Sequence, residues 1–530
     1  MADLIATACS YVRRLHWIGL TMSLLVAFMV AAPPPPAAAA SPSPQPTKVP
    51  IGVPGTPHRI QPLRRLTPSS LVPRLQAAVA PPSAQPVPYR YDNQSPTYPF
   101  IPNHGATAIN LSPGIRPNTT GGLNFQGQGP VHPYLPGDPS AAFGPSDLVQ
   151  TVNEQLTAFT LSGSAEFTRS LQSFFNTSSS ASVTDTHVLY DPGNTGHFLV
   201  LALDSTDDYL DLAVSQGNDA YSSQWCFYYF PTTAQYSPDF PEFGIDSDVS
   251  GAGLGLFFTD DLFNADGSFA QANLYEADRV GAESCGGITY YTWFNIPNPD
   301  GTRAYAIAPA ITRQGTSTTE WLVDSYANGG ASLNLFKVDT TPTLWVNISV
   351  PTSSYARPSS AGAPEEGTSA TLALGDCRVV EAAFDGYLET SLTSSYDWGG
   401  GNVNTIISWR KIDTSNLTVY QQGGFGAAGY WLFNPAMMPD SSDRVTLVWT
   451  DSGPSTYPSA WMGGLDANGI GTSNVPLAMG NSPYGTGQSS RWGDFSWAVP
   501  DPGTASQIDV TADVALNGDW ATWLGSASQP

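Results

Sequence analysis

Basic residues are scarce in this 530-residue chain: 20 Lys and Arg stand against 44 Asp and Glu, and charged residues make up only 12%. A helical bundle would spend far more Ala, Leu, Glu and Lys, so the composition excludes one. Cysteine is rarer still, with four residues and no Cys-x-x-Cys pair. That removes zinc ribbons and thioredoxin-type redox sites. Of the six histidines only His187 and His197 lie beyond residue 135, too few to support nucleophilic hydrolases well. HExxH, GxSxG, Walker A and Rossmann fingerprints are missing. Long apolar runs are also missing, with one exception.

That exception is Trp17 to Ala32, preceded by Arg13 and Arg14. It suits the core of a signal peptide and is short for a membrane span. Residues 1–32 are therefore expected to be a signal peptide or signal anchor, and the protein to be secreted, extracellular or envelope-associated. An uncleaved anchor would be its one contact with membrane. Residues 33–135 open with Pro-Pro-Pro-Pro-Ala-Ala-Ala-Ala and keep Pro every few positions, which predicts a disordered linker. The linker is basic and the remainder is strongly acidic. An acidic surface repels phosphate backbones, so nucleic acid is not an expected partner. Solubility of a secreted, monomeric protein is the simplest use of the excess.

Glycine (50), proline (47) and aromatics (14 Trp, 23 Tyr, 23 Phe) are abundant. They predict an all-β chain of short strands joined by turns. From about residue 144 the pattern repeats. Modules begin near Ser146, His187, Phe240, Tyr305, Gly375, Phe433 and Arg491, and each holds several alternating strands. Seven units of this size predict a single β-propeller over residues 136–528, with six blades and a long insertion as the alternative. Ring closure would then require the last strand, near Thr522–Gly525, to join the first module. Cys226 reads as a core residue. A Cys285–Cys377 bridge is conceivable, but spacing leaves the pairing open.

Several stretches, in this order, carry a resemblance. They are Gly144–Asn153, Val188–Asp191, Leu212–Gln216, Asp239–Ile245, Gly375–Arg378, Ile406–Trp409, Gly423–Pro435 and Arg491–Ser496. Together they resemble a family of exported bacterial β-propellers of uncharacterised function, related in architecture to sialidase-like and BNR-repeat propellers. The resemblance implies an extracellular propeller and transfers no reaction. A sialidase would need three arginines clamping a carboxylate, and only Arg378 and Arg491 fall close to first strands. No clean Asp-box appears.

Chemistry would rest on acids near the first strands: Asp147, Asp191, Glu242, Asp246, Asp376, Glu381 and Asp494. Two facing carboxylates can run glycoside hydrolysis. Asp376 and Asp494 could instead help hold Ca²⁺, which takes six to eight oxygens. The plain alternative is that each acid accepts backbone N–H bonds and ties neighbouring modules together. Trp398 and Tyr457 are candidate stacking platforms for sugars or proteins. The binding candidates are thus Asp147, Glu242, Asp246, Asp376, Arg378, Arg491, Asp494, Trp398 and Tyr457, with no catalytic residue assigned. A module binding an extracellular glycan or protein is the leading expectation. A carboxylate-dependent, sialidase-like glycoside hydrolase and a structural envelope protein are the alternatives.

Overall fold

The computed structural model describes residues 123–130 and 136–528, apart from 154, 179–180, 194, 234, 247–254, 313–318, 340–342, 473 and 485–490. It adds the backbone of five short segments between 47 and 117. The expected signal segment, 1–32, lies outside the described residues. Nearly all regular structure is β, as the turn-rich composition predicts.

Among the described residues the strands form seven successive antiparallel meanders. The first runs from Ser140–Phe143 to Ala165–Ser170, the second from Val183–Asp191 to Gln224–Pro231, and the third from Ser237–Ile245 to Tyr290–Trp293. The fourth runs from Ala308–Thr312 to Thr343–Ala356, the fifth from Ala382–Phe384 to Thr418–Phe425, and the sixth from Trp431–Pro439 to Val475–Ala478. The seventh contributes Trp497–Pro500, Gln507–Leu516 and Asp519–Ser528. Its fourth strand comes from far upstream: Asn124–Gln126 pairs with it, Leu524 opposite Phe125. The first strands neighbour one another in a closed cycle, from the first meander through the seventh and back to the first. Those of meanders three to five run parallel, Ile245 beside Ile311 and Ala310 beside Ala382. The arrangement is propeller-like.

Closure differs from the expectation. The last strand does not join the first meander; an upstream strand inside the supposed linker joins the last one. The other linker segments do something similar. Thr47–Lys48, Val53–Gly55, Arg59–Arg65, Phe100–Ile101 and Arg116–Pro117 pair with the outer strands of meanders four, three, two, five and seven. The 33–135 stretch is thus not wholly unstructured. An open sheet edge presents unpaired N–H and C=O groups, and an edge position tolerates the missing donor of proline.

Stacking of meanders explains the strand pattern. In His197–Asp204, Leu199, Leu201 and Leu203 enter one apolar cluster, while Phe198, Val200 and Ala202 enter the next. A strand buried on both faces loses its polar alternation and reads as a continuous apolar run. Cys226 and Cys285 form a disulfide between meanders two and three, while Cys377 is a buried free thiol. Both earlier expectations, a lone core Cys226 and a Cys285–Cys377 pair, are corrected. Cys226 is indeed buried, but beside it lies the turn that follows the helical segment Arg279–Glu283.

The acid excess is largely internal. Asp138, Asp147, Asp211, Glu242, Asp260, Asp261, Glu320, Asp324, Glu381, Asp509 and Asp513 are all buried. Solubility therefore does not account for the surplus by itself.

Candidate functional site

The first strands share a leading end, where the chain enters them, and the candidate site lies there. Asp138, Asp185, Phe240, Ala306 and Asn434 sit at or just before the first strands of meanders one, two, three, four and six. All have φ between 46° and 53°. L-residues adopt this left-handed conformation at a steric cost, most clearly a bulky residue such as Phe240. In meanders two, three and six the same place carries a bulge, between Thr184 and His187, Asp239 and Glu242, and Phe433 and Ala436. A bulge re-aims side chains that regular pairing would send elsewhere.

Hydrogen bonds join these positions from meander to meander. Asn434 donates through Nδ2 to the Gly493 carbonyl (2.9 Å), and the Asp494 amide donates to Asp138 Oδ1 (2.6 Å). Asn153 Nδ2 donates to Asp138 Oδ2 (2.8 Å), and Asn153 Oδ1 accepts from the Asp185 amide (2.9 Å). Meanders six, seven, one and two are linked in that order.

Around this belt charges collect. Asp494 pairs with Arg491. Asp376 accepts a forked pair from Arg378, Nε to Oδ1 at 2.9 Å and Nη2 to Oδ2 at 3.0 Å. The Arg378 guanidinium also lies over the rings of Phe240 (4.3 Å) and Tyr305 (5.0 Å). Arginine suits this double duty, because its planar fork matches a carboxylate while its face stacks on aromatics. Burial, then the neighbouring Asp494 charge, pushes the Asp138 carboxyl up to about 7. Asp185 is held well above the usual carboxylate range by desolvation and by the charges of Asp239, Asp138 and Asp494, with Arg491 opposing. Between Asp376, Arg378, Thr393, Asn434 and Asp494 there remains a void of only about 10 Å³. That is room for roughly one water.

The structure therefore brings Asp376, Arg378, Arg491 and Asp494 to one end of the molecule. Trp398, in the turn after Leu388–Asp397, and Tyr457, at the start of Thr456–Leu465, lie at the same end by strand direction. Trp398 packs edge-on against Tyr396, and both candidates are half-buried. Glu242 lies deeper. Its carboxyl is 3.7 Å from His187 Nε2, which itself bonds the Pro241 carbonyl at 2.9 Å. Burial drives the Glu242 carboxyl well above its normal range and the His187 imidazole down to about 3, so desolvation opposes charge on both partners. His197, which reads as a surface residue in sequence, is buried too and bonds the Ser215 carbonyl through Nδ1 (2.7 Å).

The other candidates lie elsewhere. Asp147 caps the Ala220 amide (2.5 Å), tying meander one to two. Asp191 and Asp246 lie at the opposite, trailing ends of first strands. Glu381 accepts from the Met437 amide (3.0 Å) and the Ala498 amide (2.9 Å), so one carboxyl holds three meanders together. Asp261 accepts from the Ala306 amide alone, through both oxygens, and ties meander three to the segment leading into meander four. The two acids considered for Ca²⁺, Asp376 and Asp494, both hold arginines instead. Among the described residues no cluster of three or more potential metal ligands occurs. Sequence reading missed Asp138, Asp185, Asn153 and Asn434. The signal for Asp138, Asp185 and Asn434 was faint, an Asp or Asn near the start of a strand, where left-handed backbone is best tolerated; Asn153 lies in the turn after Asp147–Val152 and carries no such mark.

No protein-family model matches the chain, and no curated protein matches it. Solved structures give remote likenesses. A protein of unknown function from Dyadobacter fermentans is 9% identical, covering 79% of this chain and 100% of that one, at a TM-score of 0.37. The α-L-arabinofuranosidase Arb93A of Fusarium graminearum is 10% identical, covering 65% and 93%, at 0.37. The WD40 domain of SCAP from fission yeast is 8% identical, covering 72% and 82%, at 0.32. Likeness this low says nothing about substrate.

Proposed function

We propose that the chain is an exported protein with a single seven-bladed β-propeller that binds a hydroxyl-rich ligand, an extracellular glycan, across the leading ends of its first strands. One observation carries this reading. Asp376, Arg378 and Asp494 meet at one rim, with Arg491, Asp185 and Asp239 within electrostatic reach, yet the space between Asp376, Arg378 and Asp494 holds about 10 Å³. Carboxylates and guanidiniums offer the acceptors and donors that sugar hydroxyls need. A cleft that admits one water cannot seat a sugar ring between two acids, so the rim favours binding over hydrolysis. Trp398 and Tyr457, at the same end, supply ring faces. The Cys226–Cys285 bridge and the Trp17–Ala32 run support export, because disulfides persist in oxidising compartments.

A glycoside hydrolase is the second reading, favoured by Asp138, a carboxyl titrating near 7 beside an arginine-paired Asp494. Acid and base roles go to carboxyls whose environments differ in this way. Purified full chain on a glycan array decides between them. Binding without released product, lost in Arg378→Ala, is the expected result. Product release that disappears in a folded Asp138→Ala variant would establish the hydrolase instead. Silence on every glycan would leave a protein ligand or a structural role in the envelope.

A further inference from the structure

A cavity lies at the other end of the first strands, lined by none of the rim residues. Its volume is about 430 Å³, within the range of small-molecule pockets, roughly 300–1,000 Å³. The last residues of four first strands line it: Leu189 and Asp191, Ile245, Ile311, and Val499. The loop Asp501–Ala505 forms one side and Arg279 reaches it from the helical turn of meander three. Arg279 is buried, with Nη1 2.9 Å from Asp191 Oδ2 and Nε 3.8 Å from Glu283 Oε1.

The charges narrow the ligand. Asp191 balances Arg279. Glu283 is protonated at neutral pH, because burial, followed by the hydrogen bond and charge of Asp191, pushes its carboxyl up to about 9. Asp501 is committed to its own loop, accepting from the Gly503 amide (2.8 Å) and Gln507 Nε2 (2.9 Å). An anion would meet Asp191 and Asp501, and a cation would meet Arg279. The walls are mostly aliphatic and favour an apolar body, and with Tyr190 the single ring among the lining residues there is no broad stacking floor for a sugar.

We propose that this trailing-end pocket is a second binding site, for an uncharged small molecule with an apolar body and one hydrogen-bond-accepting head directed to Arg279. The site is independent of the rim and of its reading. Three probes share a phenyl ring and differ in the head: benzamide, phenylacetate and benzylamine. Their binding to the full chain would be followed by ligand-detected NMR titration. Benzamide is expected to bind, with phenylacetate and benzylamine each at least about tenfold weaker. Val499→Phe fills the pocket from its wall, and Pro502→Trp fills it from the half-buried loop, where misfolding is less of a risk. Each variant, with melting checked separately, is expected to weaken benzamide by about tenfold or more. No benzamide binding overturns the proposal. So does binding unchanged in a folded Pro502→Trp variant, or a charged probe that binds as tightly as benzamide.

Discussion

Arg378 is the rim side chain at which stability and the proposed recognition can be tested apart. Its fork holds Asp376 while its face covers Phe240 and Tyr305, so it ties meanders three, four and five together. Arg378→Ala is expected to abolish glycan retention and to lower the melting temperature. Arg378→Lys keeps the charge but neither the fork nor the flat stack, and should restore melting more than binding. A variant that binds normally would exclude the rim as the site. Glu381 makes the opposite case, a carboxyl whose role is structural. Gln at this position would turn an N–H donor toward one of two backbone donors, at a cost of about 1–3 kcal/mol. Urea denaturation of Glu381→Gln tests this, and an unchanged midpoint would refute it. Neither residue's role can be read from its neighbours in sequence. The partners of Arg378 lie far upstream as well as two residues away, and those of Glu381 lie far downstream.

At the scale of elements, the decisive piece is the three-residue strand Asn124–Gln126. It covers the edge of Asp519–Ser528 and supports a polar network: Gln128 Nε2 donates to the Gln150 carbonyl (2.9 Å), and Gln150 Nε2 to Thr511 Oγ1 (3.0 Å). A chain starting at residue 136 would expose that edge and leave buried Gln150 short of partners. Such a truncation is expected to melt lower and to aggregate, while one starting near 120 behaves like the full chain. Equal melting of the two would show that the strand is dispensable. The disulfide works at the same scale. It closes a loop of 59 residues between neighbouring meanders. Replacing both Cys226 and Cys285 with Ser should cost about 2–4 kcal/mol in chemical denaturation. The modules themselves were legible in sequence, because each strand is a local run bounded by Gly, Asn or Asp. The closing strand was not, since three residues in a proline-rich stretch have no periodicity to detect.

For the whole molecule, buried carboxyls set the pH response. Burial pushes Asp138, Asp147 and Asp260 up to about 7 and Asp324 up to about 8, against an unfolded value near 4. Between those limits the folded state binds more protons than the unfolded one, so stability falls as pH rises through the window. The melting temperature should be highest near pH 4–5 and lower at pH 8. A melting temperature that rises over that range would contradict the protonated interior. Chelation with EDTA should leave melting unchanged, because the two acids considered for Ca²⁺, Asp376 and Asp494, are committed to arginines. A large drop would restore a metal to the rim.

Composition and local pattern determined the β class and the approximate start of the strand modules, since turn chemistry and strand periodicity act over a few residues. They also placed acids and arginines at first strands. Tertiary structure decided which of those charges meet. Asp376, Arg378, Arg491 and Asp494 come together only because successive first strands lie side by side, while Asp147 and Asp191, equally suggestive in sequence, are directed to other ends and other partners. Whether a carboxylate caps an amide, pairs with arginine or stays free to meet a ligand depends on burial and on residues hundreds of positions away. No local pattern encodes that choice.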